Sequence, residues 1–187
     1  MSDAAPNRAP IRSPIRATWR FMLPNPAHWI ALGFGSGLAP KAPGTFGTLW
    51  AWAVYAALTH YVGALPWGWI VLVGTAVGIW ACTITAQHMN TPDPGAIVWD
   101  EVLAFWLILW LIPSGWAWQL AGFALFRFFD AAKPGPVGWA DRLFKAERAA
   151  PITVWQGLGI LIDDFVAAAC TLGVIALLRW GMVHVVS

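Results

Sequence analysis

The sequence predicts an all-α, polytopic membrane helical bundle of about five transmembrane helices. Three observations carry that expectation. Of 187 residues, 59% are hydrophobic and 11% are charged, whereas a soluble domain carries roughly 25% charged residues. No Asp, Glu, Lys or Arg occurs between Lys41 and Asp93, a run of 51 residues that accommodates two spans of ~20 apolar residues. The apolar runs do not alternate as the strands of a membrane barrel must, and an isolated segment in lipid satisfies its own backbone only as a helix.

Residues 1–28 read as a basic N-terminal tail and 29–187 as a single membrane-embedded domain. The apolar stretch after the tail is broken by Pro24, Pro26, Gly33, Gly35 and Gly37, so it lacks a signal-peptide core. A Gly/Pro-rich loop from Gly33 to Thr48 follows and leads into the first span, near Gly44 to Leu65. Pro66 turns the chain into a second span, Trp67 to His88. Gly74 and Gly78 there form a GxxxG packing face. The third and fourth spans, near Ala96 to Ile112 and Trp116 to Ala132, form a hairpin at Pro113-Ser114-Gly115, and the fifth runs from about Gln156 to Trp180.

Basic residues orient the bundle. With the N-terminus inside, Arg8, Arg12, Arg16, Arg20, Lys41, Arg127, Lys133, Arg142, Lys145 and Arg148 all fall on the inner side, leaving Arg179 outside. Trp67, Trp69, Trp116, Trp118 and Trp180 sit near outer ends as interfacial anchors. Cys82 and Cys170 lie inside apolar stretches and read as packing residues. The basic residues show no aromatic-basic recognition motif, which argues against a nucleic-acid partner. Oligomeric state is not legible.

The acids carry the chemical signal. Glu101 lies 12 residues before Pro113 and Arg127 lies 12 after Gly115, which at 1.5 Å per residue puts both ~18 Å from the hairpin apex. Asp130 is one turn deeper, and Asp163 lies 17 residues before Trp180. Three spans therefore bring Asp100, Glu101, Asp130, Asp163 and Asp164 to one boundary of the bilayer. Arg127, Asp130 and Lys133, spaced by three, share a helix face. Any one acid can be a structural ion pair, but several converging carboxylates repel unless protonated or neutralised by a divalent cation. Mg2+ suits such oxygen ligands, and the scattered histidines give zinc no His/Cys cluster. Asp93 reads as the start of the turn into the third span. Gly35, Ser36, Gly37, Lys41 and Thr45 belong to a loop whose backbone could approach a phosphate, helped by a helix N-terminus near Gly44. It is not a Walker loop, since the Lys-Ser/Thr pair is missing. Acids, cations and loop together favour phosphoryl chemistry.

These residues resemble the bacterial phosphatidylglycerophosphatase A family. The matching stretches are GFGSGLAPKAPGTFGT (33–48), DPGAIVWDE (93–101), FRFFDAAKPGPVGWADR (126–142) and GLGILIDDFVAA (157–168). The resemblance implies a Mg2+-dependent inner-membrane enzyme, a phosphoric monoester hydrolase acting in phospholipid metabolism. Its substrate would be the lipid phosphatidylglycerophosphate, its products phosphatidylglycerol and phosphate, and its site would lie on the cytoplasmic face among membrane lipids. Catalytic roles are expected of Asp100, Glu101, Asp130, Asp163 and Asp164, with Glu101, Asp130, Asp163 and Asp164 as metal ligands and Asp100 as a base. Arg127, Lys133, Asp141 and Arg142 are expected beside the substrate, with the glycine loop clasping the phosphate. The alternatives are another Mg2+-dependent lipid phosphotransferase and a non-enzymatic divalent-cation carrier. The spacer from Leu143 to Trp155 is longer than the family's usual connection.

Overall fold

A computed structural model describes residues 13–144 and 151–186. Arg8, Arg12, Lys145 and Arg148 lie outside the described residues, as does most of the long spacer. All regular structure among the described residues is helical. In chain order the helices are α1 (Trp19–Met22), α2 (Pro26–Ala31), a short 3-10 segment (Gly33–Leu38), α3 (Pro43–Tyr61), α4 (Trp67–Met89), α5 (Trp99–Leu111), α6 (Trp116–Ala132), α7 (Pro136–Phe144) and α8 (Val154–Val186).

Two of them, α4 and α8, are long and apolar enough to cross a membrane. The other three predicted spans coincide with α3, α5 and α6. Their lengths differ from the expectation: α5 has 13 residues and therefore extends only ~20 Å. It is short because its ends are set by other chemistry. Its first turn carries Asp100 and Glu101, acids favoured near the positive end of a helix dipole. Its far end runs into the Pro113 hairpin.

Helix α5 is the centre of the bundle, packed on α3, α4, α6 and α8. Val102, Leu103, Ala104, Phe105 and Ile108 are fully buried. Close packing and interhelical hydrogen bonds are the contacts that hold apolar helices together. Both are present. Gly74 and Gly78 of α4 lie against Leu103 and Trp99 of α5, and the Trp99 indole donates to the Gly74 carbonyl at 3.0 Å. Trp106 donates to the Ala51 carbonyl at 2.9 Å. Tyr55 donates to Leu109 at 3.1 Å.

Residues assigned to the N-terminal tail also pack on the bundle. Met22 and Ala27 are fully buried; just beyond the tail Ala31 is fully buried too, and its carbonyl accepts from Val98 N at 2.9 Å. His28 hydrogen-bonds to His88 at the end of α4 at 2.9 Å.

Candidate active site

The N-terminus of α5, the C-terminal end of α6, α7 and the first half of α8 enclose a cavity of about 350 Å³, completed by the Thr91–Gly95 turn after α4. Seven acidic residues line it: Asp93, Asp100, Glu101, Asp130, Asp141, Asp163 and Asp164. Asp93, which reads from sequence as a turn residue, is part of the wall. Gly159, from the matching stretch 157–168, lines it too, as do Thr91 and Gln156, which neither charge nor a quoted motif marks in the sequence.

Local structure explains how the acids meet. Helix α4 ends at Asn90 in the left-handed conformation (φ 53°), which turns the chain through Thr91–Gly95 and back into α5. Helix α6 ends the same way at Lys133 (φ 45°), so the chain reverses into α7 and the lysine is carried over the cavity. Left-handed backbone is costly for a residue with a Cβ and persists where the surroundings over-determine it. Here Lys133 Nζ lies 2.6 Å from Asp141 of α7 and 2.6 Å from Asp163 of α8. Burial alone would lower the lysine pKa, but the two hydrogen-bonded carboxylates outweigh it and hold the ammonium above its ordinary value. Arg127 is anchored one turn earlier by Asp130 at 2.8 Å, with Glu101 at 3.8 Å and Thr48 Oγ1 at 3.4 Å.

Deeper in the cavity three carboxylates converge. Asp100, Glu101 and Asp164 each place a carboxylate oxygen within 4.8 Å of the others. Asp164 is buried, and Asp100 and Glu101 are half-buried. Asp100 Oδ1, Glu101 Oε2 and Asp164 Oδ2 are shielded from solvent and have no hydrogen-bond partner among the described residues. Two unit charges ~4 Å apart repel by about 4 kcal/mol at an effective dielectric of about 20. Three such oxygens need protons or a cation between them. The donor set is all oxygen, which fits a hard divalent cation.

Within the cavity the acids fall into two groups. Asp100, expected as a base, joins Glu101 and Asp164. Asp130 and Asp163, expected as ligands, hold Arg127 and Lys133 while still lining the cavity. A helix turns ~100° per residue, so adjacent carboxylates start on diverging vectors. Side-chain torsions bring Asp100 and Glu101 back together, and no periodicity argument sees those.

The glycine loop is not at the cavity. None of Gly35, Ser36, Gly37, Lys41, Thr45 and the exposed Arg142 lines it. The loop glycines are occupied by packing instead: Gly35 lies against the Trp19 ring and Gly37 against the Ala96 carbonyl. Ser36 Oγ donates to the Gly33 carbonyl at 2.8 Å. The loop segment that does reach the acids is Gly44, at the start of α3, directly against the Glu101 carboxylate and near Arg127.

Fold and site together define a helical bundle with a cluster of carboxylates able to hold a cation at one end, flanked by ion-paired arginine and lysine groups. Comparison with known proteins makes the class specific. Residues 29–179 match the phosphatidylglycerophosphatase A family, and the chain belongs to it. Phosphatidylglycerophosphatase A of Escherichia coli K12 is 39% identical over 83% of this chain and 85% of its own length. The protein of the same name from Haemophilus influenzae Rd is 38% identical over 87% of this chain and 94% of its own. A Bacteroides thetaiotaomicron protein, provisionally described as a phosphatidylinositol-3-phosphatase, is 36% identical over 81% of this chain and 92% of its own. No solved structure matches the chain.

Proposed function

We propose that this protein hydrolyses the terminal phosphate of phosphatidylglycerophosphate to give phosphatidylglycerol and inorganic phosphate, in a Mg2+-dependent reaction at the cytoplasmic face of the inner membrane. The observation that carries the reading is the trio of unpartnered oxygens on Asp100, Glu101 and Asp164, in a chain whose named relatives are phosphatidylglycerophosphatases. On this reading α3, α4, α5, α6 and α8 sit in the bilayer with the N-terminus inside. The substrate's acyl chains stay in lipid while its headgroup enters the cavity.

Asp100, Glu101 and Asp164 would hold Mg2+, which when bound neutralises charge on the transferring phosphoryl group and polarises its oxygens. The chain's own residues do the rest. The Lys133 ammonium, fixed between Asp141 and Asp163, neutralises a phosphate oxygen. Arg127, held by Asp130, offers a second cation in a planar fork suited to phosphate. Asp163 lines the cavity and accepts a proton from the attacking water. As the water oxygen bonds to phosphorus, the phosphorus–oxygen bond to the glycerol breaks, the alcohol oxygen takes up the proton that Asp163 accepted, and inorganic phosphate leaves. Positioning and charge neutralisation supply most of the rate in such transfers.

The test is phosphate release by purified protein from three lipids: phosphatidylglycerophosphate, phosphatidic acid and phosphatidylinositol 3-phosphate, each with Mg2+ and with chelator. Preferential, Mg2+-dependent release from the first, abolished by Asp164→Asn, is expected. Faster release from the inositol lipid would reassign the substrate, as the Bacteroides relative's description suggests. No release from any of the three would overturn the reading.

A further inference from the structure

The opposite end of the bundle holds a second cavity, of about 330 Å³, between the end of α5 and the last third of α8. Its deep wall is apolar, with Ile112 and Ile175 nearly inaccessible to solvent. Leu172, Ile175, Ala176 and Arg179 of α8 lie on this wall at the three- and four-residue spacings that share one helix face. From Leu172 to Arg179 the groove runs ~10 Å along the helix, and at its rim stand Arg179, Trp180 and His184.

Arg179 has no ion pair among the described residues. The sequence explains why: no Asp or Glu occurs at 42–92, 102–129 or 165–187, so no acid in α3, α4 or the α5–α6 hairpin can reach this end. A guanidinium at a membrane boundary without a protein counter-ion is completed by lipid phosphate, which its planar donor fork matches in bidentate fashion. The other polar rim group is consistent with this. His184 Nδ1 donates to the Trp180 carbonyl at 2.9 Å, which leaves Nε2 available at the rim. The Trp180 ring lies tilted beside the imidazole, with centroids 4.6 Å apart, at the rim where an interfacial aromatic is placed.

We propose that this groove is a binding site for one anionic phospholipid, with an acyl chain against Ile112 and Ile175 and the headgroup phosphate on Arg179. A free phosphate would gain nothing from the apolar wall, and a zwitterionic lipid carries its own cation to compete for the phosphate. The site is separate from the acidic cavity. Arg179 is fifteen residues beyond Asp164 in α8, or ~22 Å along the helix, so the inference stands whatever reaction the cavity performs.

The experiment is lipid retention by the full chain, read by native mass spectrometry and thermal shift in detergent. The probes are dioleoylphosphatidylglycerol, dioleoylphosphatidylcholine and tail-free glycerol 3-phosphate. The wild type should retain the anionic diester preferentially. Arg179→Gln should weaken that retention about fivefold, the value of one basic residue near an anionic surface. Ile175→Trp, which fills the groove and leaves the arginine, should weaken it too. Asp164→Asn should retain the lipid normally, which separates this site from any lipid in the acidic cavity. Equal retention of both diesters, or retention unchanged in both Arg179→Gln and Ile175→Trp, would reduce the groove to ordinary boundary lipid and overturn the proposal. Glycerol 3-phosphate binding as tightly as the lipid would overturn it as well.

Discussion

Gly44 lies directly under the Glu101 carboxylate, in the space that any side chain at position 44 would need. The first turn of α3 thereby sets the position of a carboxylate on α5, and Arg127 closes the same corner at 3.8 Å from Glu101. Gly44→Ala should improve the helix by propensity, since Ala is favoured over Gly by about 1 kcal/mol. It should nevertheless displace Glu101, and a misplacement of this size costs about 100-fold in rate. Phosphate release alongside circular dichroism checks this: normal helicity with wild-type turnover would remove Glu101's position from the catalytic account.

Asp164 offers a sign test between a cation site and a structural ion-pair network. If Asp100, Glu101 and Asp164 are held together against their own repulsion, Asp164→Asn should melt higher than the wild type in chelator. With Mg2+ the order should reverse, because a ligand that binds only the folded state stabilises by about 2.7 kcal/mol at 100 times its Kd. Melting curves with and without Mg2+ decide it. A wild type that is the more stable in chelator would mean that the acids stabilise the bundle without a metal.

Much of this arrangement is legible in the sequence because depth along a helix is a matter of counting. Asp100, Glu101, Asp130 and Asp163 all reach one cavity, as their distances from the Pro113 hairpin and Trp180 require. What counting misses is rotation and reversal. That Asp130 turns to Arg127 and Asp100 to Glu101 depends on side-chain torsions, and that Asp93 joins the wall depends on Asn90 adopting φ 53°. The glycine loop is a case of a different kind. Gly35 and Gly37 satisfy equally a phosphate cradle and a close approach to Trp19 and Ala96, and only coordinates distinguish the two.

Lys133 ties α6, α7 and α8 together through Asp141 and Asp163. On the proposed mechanism Lys133→Met should cost activity by the loss of a charge lining the cavity, and it should loosen α7. Lys133→Gly separates backbone from charge: it relieves left-handed strain of about 1 kcal/mol or more yet should be as inactive as the methionine variant. The lysine pKa is raised on folding, so its stabilising contribution is complete below the ordinary value of about 10.4 and is lost only above it. The difference in melting temperature between wild type and Lys133→Met should therefore stay flat from about pH 7 to about pH 10. A difference that fades near neutrality would contradict the ion-paired ammonium.

His28 carries the opposite sign. Its Nδ1–H donates to the Phe21 carbonyl at 2.8 Å, and His88 Nδ1 donates to its Nε2 in the neutral pair. Burial lowers the His28 pKa below 6.5; the Phe21 carbonyl opposes this and His88 adds to it. Between the lowered value and 6.5 the unfolded chain binds more protons than the folded one. Stability therefore falls as pH drops through 6.5 and levels off below the folded pKa. His28→Gln should flatten that slope in melting experiments between about pH 7 and about pH 5. An unchanged slope would place the acid sensitivity elsewhere.

Gly157 sits where α8 crosses α4, against the Thr83 hydroxyl and the Ile79 carbonyl. A methyl there meets backbone that cannot rotate away, so Gly157→Ala must push the helices apart, at about 1–3 kcal/mol for overpacking. The displacement has a direction. Seven residues make about two turns of helix, so Asp164 lies on nearly the same face as Gly157 and moves with it, away from Asp100 and Glu101. The variant should melt lower and should also need more Mg2+ for half-maximal stabilisation. Adding Thr83→Ala should restore only part of both, because the Ile79 carbonyl remains. A Gly157→Ala protein that loses stability but keeps its Mg2+ response would show that the α4–α8 crossing and the carboxylate trio are mechanically independent.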